Sequence, residues 1–203
     1  MKIIETRRAP NPRRVRIFLA EKGIDIEYEE ISLFELDHKK PPFTDINPRR
    51  RVPALVLDDG TAICETVAIC RYFEEIQPEP VLMGSGAVGK AQTEMWQRWV
   101  ELDLFWTFAQ VFRHSVERMA TLEQPQIPEW AEANRPRVLE FLGFLDGALA
   151  DKPFIAGENF SIADITGLVA VDFLAVANME RPPELENLAR WYDEVSSRPS
   201  AQA

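Results

Sequence analysis

The feature that most constrains this chain is where its strand signals stop. Runs with the period-2 or β-branched pattern of a strand fall at residues 2–6, 26–32, 52–57 and 61–63, and none follows. Helical patterns lie between and after them, giving β-α-β and then β-β-α up to about Ile76. Residues 77–89 hold two prolines and three glycines, the composition of a domain boundary. Beyond them every apolar period is helical. The predicted helices cover residues 90–119, 134–150 with a kink near Pro136, 162–178 and 184–196. A chain of 203 residues divided in this way makes two domains, a small mixed α/β domain and a larger all-helical one.

Local signals fix several boundaries. Asn11-Pro12 reads as a helix start, with Asn11 as N-cap and Pro12 at the first helical position. Gly23 is its stop. Asp58-Asp59-Gly60 reads as a hairpin turn, and a further helix is expected over residues 65–75. Ser161-Ile162-Ala163-Asp164 has the form of a capping box, with Phe160 and Ile165 as its hydrophobic staple. These last residues read as structural, each cap contributing about 1 kcal/mol.

The net charge is −10, from 23 Lys+Arg against 33 Asp+Glu, which disfavours nucleic acid and anionic lipid as partners. The charge is unevenly placed: residues 1–78 carry 13 positive and 14 negative side chains, residues 79–203 carry 10 and 19. Cys64 and Cys70 form neither a disulfide framework nor a ligand spacing, and read as core thiols. With His38 and His114 as the only histidines, no metal site is expected. No signal-peptide pattern and no apolar run near 18 residues is visible, so the expected location is cytoplasmic.

Several segments, taken in order, resemble the glutathione transferase superfamily over nearly the whole chain. They are the run from Ala9 to Arg16, Val52-Pro53-Ala54-Leu55, Asp59-Gly60, the run from Glu65 to Phe73, and the run from Phe160 to Ile165. The run Arg14-Val15-Arg16-Ile17-x-Leu19-Ala20-Glu21-Lys22 is most similar to bacterial and fungal transferases of the yeast type-2 kind. The resemblance implies a thioredoxin-like N-terminal domain with a mixed four-stranded sheet over 1–78, a linker over 79–88, and an all-α helical-bundle domain over 89–203. It also implies a homodimer that takes glutathione as cosubstrate, conjugates its thiolate to a small apolar electrophile held by the helical domain, and serves detoxification.

Carried onto these residues, the resemblance makes Pro53 a cis proline, so that Val52 presents its backbone to an incoming peptide; a plain trans X-Pro at a strand start is the other reading. Glu65 and Thr66 would hold the γ-glutamyl amine and carboxylate, or simply begin a helix. Lys39 or Lys40 would meet the glycyl carboxylate, while Arg49, Arg50 and Arg51 read mostly as solvated surface. Ala9 stands where many transferases place Tyr, Ser or Cys, and its side chain donates nothing. The candidates left for the thiolate are Asn11 with its helix N-terminus, and a water polarised by His114. Each also has a structural reading, as a cap and as a packing histidine. The aromatic series Trp96, Trp99, Phe105, Trp106, Phe108 and Phe112 reads as core, dimer surface and pocket lining. Two other functions remain open: a glutathione-dependent peroxidase or disulfide reductase, and a non-catalytic binding module.

Overall fold

The computed structural model describes residues 1–203 and divides into two compact units, Met1–Pro80 with the last two residues, and Val81–Ala201. No helix is long and apolar enough to cross a membrane.

In the first unit, β1 (Lys2–Glu5) pairs parallel to β2 (Glu27–Glu30) and antiparallel to β3 (Ala54–Val56), which pairs antiparallel to β4 (Ala62–Cys64). The strand order is β2-β1-β3-β4, a mixed four-stranded sheet. Ile3 and Leu55 sit opposite each other and are fully buried, as are Phe18 of α1 (Pro10–Lys22) and Ile69 of α3 (Thr66–Ile76). Neighbours along the strands face the other way. There Ile4 and Ala54 join Val52 and Phe43, the latter from the one-turn helix α2 (Phe43–Ile46).

α1 ends as predicted at Gly23, which takes φ 63°. Its N–H donates to Ala20 and that of Ile24 to Leu19, the paired closure that a left-handed residue allows. The hairpin turn closes through the Gly60 N–H to Leu57 O at 3.0 Å. The start of α1 differs from expectation. Its N-cap is Ala9, Pro10 and Asn11 open the helix, and Asn11 caps nothing. Pro10 already has the φ of a first helical residue, so the helix begins two positions before Pro12. The fully buried Lys22 ammonium meets Glu74 Oε2 at 2.6 Å and the carbonyls of Gln77, Pro78 and Pro80 at 2.7–3.2 Å. That contact ties the end of α1 to the chain leaving α3, so residues 77–80 are part of the unit rather than free linker.

In the second unit the predicted helix over 90–119 starts earlier and is interrupted. It consists of α4 (Gly86–Trp99), a π-helical stretch (Val100–Phe105) and α5 (Trp106–Ser115), followed by a 3-10 segment (Glu117–Thr121). Residues 86–88, expected in the linker, are helical. α6 (Pro128–Ala148) begins six residues before the expected 134, because Pro128 is itself a first-turn proline. Pro136 lies inside α6. α7 (Ile162–Phe173) is followed by a 3-10 turn (Leu174–Ala177) and then α8 (Glu186–Ser196). The capping box is present: the Ser161 hydroxyl accepts from the Ala163 N–H, and Asp164 accepts from the Ser161 N–H at 2.9 Å. Asp164 does more than cap, because its carboxylate also accepts from Ile155 N–H at 2.8 Å and from the Trp191 indole at 2.9 Å. The expected 1 kcal/mol therefore understates it. α7 packs so closely that a Cβ on Gly167 would stand 2.8 Å from Ile155 Cδ1.

Candidate functional site

Register decides which loops of the first unit meet. Ile4 pairs with Ala54, and Ala54 with Cys64. The chain therefore leaves β1, starts β3 and leaves β4 at one end of the sheet. Ala9, Val52 and Cys64 pack on the single cluster of Ile4, Phe43 and Ala54. This brings Ala9, the Val52-Pro53 step and the Glu65-Thr66 helix start together, although they are separated by tens of residues in sequence.

Each loop is held by specific contacts. After β1, Thr6 Oγ1 donates to Ile31 O at 2.5 Å and the Ala9 N–H to Thr6 O at 2.9 Å. Arg16 reaches back from α1 to both oxygens of buried Glu5, at 2.8 and 2.7 Å, and donates to Arg7 O at 2.6 Å. Before β3, buried Asn47 donates from Nδ2 to Arg51 O at 2.7 Å and accepts the Arg49 N–H at 3.0 Å. Arg50 completes the turn with φ 57°. The Val52-Pro53 bond that follows is cis. Asn47 and Arg16 did not stand out in the sequence. Asn47-Pro48 is a turn signal, but nothing local tells that it shapes the approach to Pro53.

At the β4–α3 junction, Glu65 is exposed with φ 76° and ψ 126°, a conformation that costs a non-glycine residue of order 1–3 kcal/mol. Such strain is retained where the surroundings impose it. The backbone there turns abruptly into α3, whose first-turn N–H groups have no intrahelical partners. Thr66 is buried, and the N-cap Glu65 makes no side-chain cap bond at this helix start. Cys64 is half-buried, and burial, reinforced by the Glu65 charge, pushes its thiol up. Cys70 is a core residue.

Lys40 is engaged within its own loop, donating to Glu35 O at 2.7 Å and meeting Asp37 Oδ1 at 3.3 Å. The Ser32 N–H in turn holds the Asp37 carboxyl below its ordinary value. Lys39 is exposed and makes no such contact. At the start of α1, Asn11 Oδ1 accepts from the Arg14 guanidinium at 3.1 Å, leaving its amide N–H groups without a partner in the chain. Two of the four first-turn donors expected there are missing, because residues 10 and 12 are prolines.

His114 belongs to the second unit. It is buried on α5, and its Nδ1 accepts the Ile127 N–H at 3.1 Å, just ahead of α6. That bond occupies Nδ1 and leaves Nε2 as the ring nitrogen open to other contacts. Any contact of His114 with a water or an electrophile would therefore have to be made from Nε2. Of the aromatic series, Phe105 and Phe108 are core, while Trp99 and Trp106 are exposed. An open cleft of about 410 Å³ is lined by Trp99, Asp103, Thr107, Arg137, Glu140, Phe141 and Phe144.

Comparison with known proteins agrees with this architecture. Residues 9–76 match the family described as glutathione S-transferase, N-terminal domain, and residues 107–199 its C-terminal domain. The chain is 35% identical to glutathione S-transferase 2 of Saccharomyces cerevisiae, over all of this chain and 88% of that protein. The crystal structure of a glutathione S-transferase domain-containing protein from Marinobacter aquaeolei superposes with a TM-score of 0.95 at 33% identity, covering 98% of this chain and 99% of that one. A glutathione S-transferase of class Gtt2 from Vibrio parahaemolyticus gives 0.88 at 37% identity, covering 100% and 96%. From its sheet and its helices to both matched domains, the chain belongs to the glutathione S-transferase family of enzymes.

Proposed function

We propose that this enzyme binds glutathione at the sheet end where Ala9, Val52-Pro53 and Glu65-Thr66 meet, and transfers its thiolate to an apolar electrophile. The observation that carries the reading is that convergence on one cluster, with the first turn of α3 open beside it. Val52 offers backbone to pair with the peptide. Glu65 accepts from the γ-glutamyl amine, while Thr66 and the α3 N–H groups take its carboxylate. Lys39 rather than Lys40 is assigned to the glycyl carboxylate, since Lys40 is already bound by Asp37 and Glu35.

The thiolate falls to Asn11. With residues 10 and 12 prolines and the Ala9 N–H spent on Thr6 O, the donors left at this helix start are the Asn11 N–H and its side-chain amide. Attack forms a carbon–sulfur bond and expels the electrophile's leaving group, with the thiol proton passing to solvent. Isothermal calorimetry with millimolar glutathione tests the site, and ultraviolet absorbance of the bound thiolate at neutral pH tests the activation. Absence of binding sinks the proposal. Binding with no thiolate signal would favour a second reading, a glutathione-binding module without turnover. Ala9 and the committed Nδ1 of His114 are the observations behind that reading.

A homodimer and a cytoplasmic location belong to the same proposal. Trp99, Leu102, Trp106 and Phe144 are exposed on the second unit, and a second copy covering such apolar surface removes it from water. Light scattering is expected to give twice the 23.2 kDa chain. A monomer at micromolar concentration would refute the dimer.

A further inference from the structure

Asn47 is 2% exposed, and both its backbone and its side chain are spent on one short loop. Its N–H donates to Phe43 O at 2.8 Å, closing α2, and its carbonyl accepts the Arg50 N–H at 2.9 Å. Its Oδ1 accepts the Arg49 N–H at 3.0 Å, and its Nδ2 donates to Arg51 O at 2.7 Å. Residues 49–51 are exposed, so the loop turns around a single buried amide. The bond to Arg51 O fixes the direction of the next N–H. The Arg51–Val52 peptide is trans, and in a trans peptide the carbonyl and the N–H point opposite ways. With the carbonyl drawn inward to Asn47, the Val52 N–H is aimed away from the loop. Val52 is buried against Ile4, Phe43 and Ala54, one residue outside the pairing of β3. No backbone hydrogen bond of the chain uses its N–H or its carbonyl. Buried backbone groups almost always have partners. Those of Val52 are therefore set to pair with an extended segment from outside the chain.

We propose that Asn47 is a positioning residue of the glutathione site: through the Arg51 carbonyl it orients the Val52 N–H that receives the ligand's cysteinyl carbonyl. This role rests on the proposed glutathione site and names the side chain that sets its backbone register. The task calls for an amide, which accepts from one N–H and donates to one carbonyl across the same loop. An aspartate in its place could still accept the Arg49 N–H, but it would turn an oxygen instead of a donor on Arg51 O. Asn47 acts on the peptide of glutathione and not on its sulfur, so its loss should weaken binding more than it slows transfer.

Calorimetry and steady-state kinetics on the full chain compare the native protein with Asn47→Asp and Asn47→Ala, using glutathione and an aromatic halide. In both variants the Kd and KM for glutathione are expected to rise about tenfold, and kcat to fall by less than about twofold. Exchange of the Val52 amide proton, followed by nuclear magnetic resonance, gives a readout that a merely structural role would not move. Glutathione is expected to slow it about tenfold in the native chain and to leave it unchanged in Asn47→Asp. An unchanged Kd in Asn47→Asp, a fall in kcat as large as the rise in KM, or protection of Val52 that survives the substitution would overturn the proposal. Glutathione binding that leaves Val52 unprotected in the native chain would overturn it without any variant. Failure of the native chain to bind glutathione at all would instead bring down the underlying site. Circular dichroism shows which variants are folded; should Asn47→Ala not fold, Asn47→Asp, which keeps the bond to Arg49, carries the comparison.

Discussion

Two helix starts in this chain are built in opposite ways. At α7, Ser161 and Asp164 exchange hydrogen bonds with the first turn, the carboxylate also accepts from Ile155 and Trp191, and all four residues are buried. At α1, the N-cap is an alanine with no side-chain bond, two prolines remove donors, and arginines stand where acids would be favourable. The first arrangement satisfies every polar group it buries and gains stability. The second leaves donors and positive charge open at a place held rigid from outside, by Arg16 and Thr6. A helix terminus that forgoes its own capping is available to a ligand, and the contrast supports the proposed placing of the thiolate at α1.

The contrast predicts very different responses to mutation. Asp164→Ala should have the largest effect, about 4 kcal/mol, since it leaves three buried N–H donors unpaired. Urea denaturation would report it as a fall in midpoint, and a loss under about 1 kcal/mol would reduce Asp164 to a simple cap. Burial pushes the Asp164 carboxyl above its ordinary value, against four donated hydrogen bonds. The folded state then keeps the proton to higher pH than the unfolded one. The linked stability is fully present below the ordinary carboxylate value and declines as pH rises towards the folded one. Asp164→Ala should abolish that slope.

At the open end, effects should appear in chemistry before stability. Asn11→Ala is expected to raise the pKa of bound glutathione by about one unit, or about 1.4 kcal/mol. A spectroscopic pH titration of the complex reads this, and an unmoved thiolate would remove Asn11 from the mechanism. The smallest effect belongs to Ala9→Ser. A serine N-cap normally bonds the second or third helical N–H, but the third residue is Pro12, so only the Asn11 N–H remains. The gain in thermal stability should therefore be about 0.5 kcal/mol, and it should diminish with glutathione bound if the thiolate uses the same donor. An equal gain with and without glutathione would show that the two do not compete.

Much of this was legible in the sequence, for reasons that differ by residue. Gly23, Asp58-Asp59-Gly60 and Ser161–Asp164 act through neighbours within a few positions, so spacing alone reveals them. α1 starts two residues before the predicted Pro12, because two Pro-containing steps compete in the sequence and only the backbone chooses between them. The start of α6 lies ahead of the predicted one because Pro128, Glu129 and Trp130 of its first turn are exposed, so they do not extend the buried apolar period of the helix. Lys39 and Lys40 are alike as sequence. What separates them is Asp37, which folds back within a short turn to take Lys40.

The amino-acid sequence by itself determined the two-part architecture, the class of each part and the segments that carry the family pattern, because periodicity and turn chemistry are written over short stretches. Only the tertiary structure decided that Ala9, Val52 and Cys64 share one cluster, that Asn47 shapes the approach to Pro53, and that His114 is committed to the start of α6. Those facts depend on strand register and on hydrogen bonds between distant residues. No local pattern encodes which distant partner a polar side chain will find once the sheet closes.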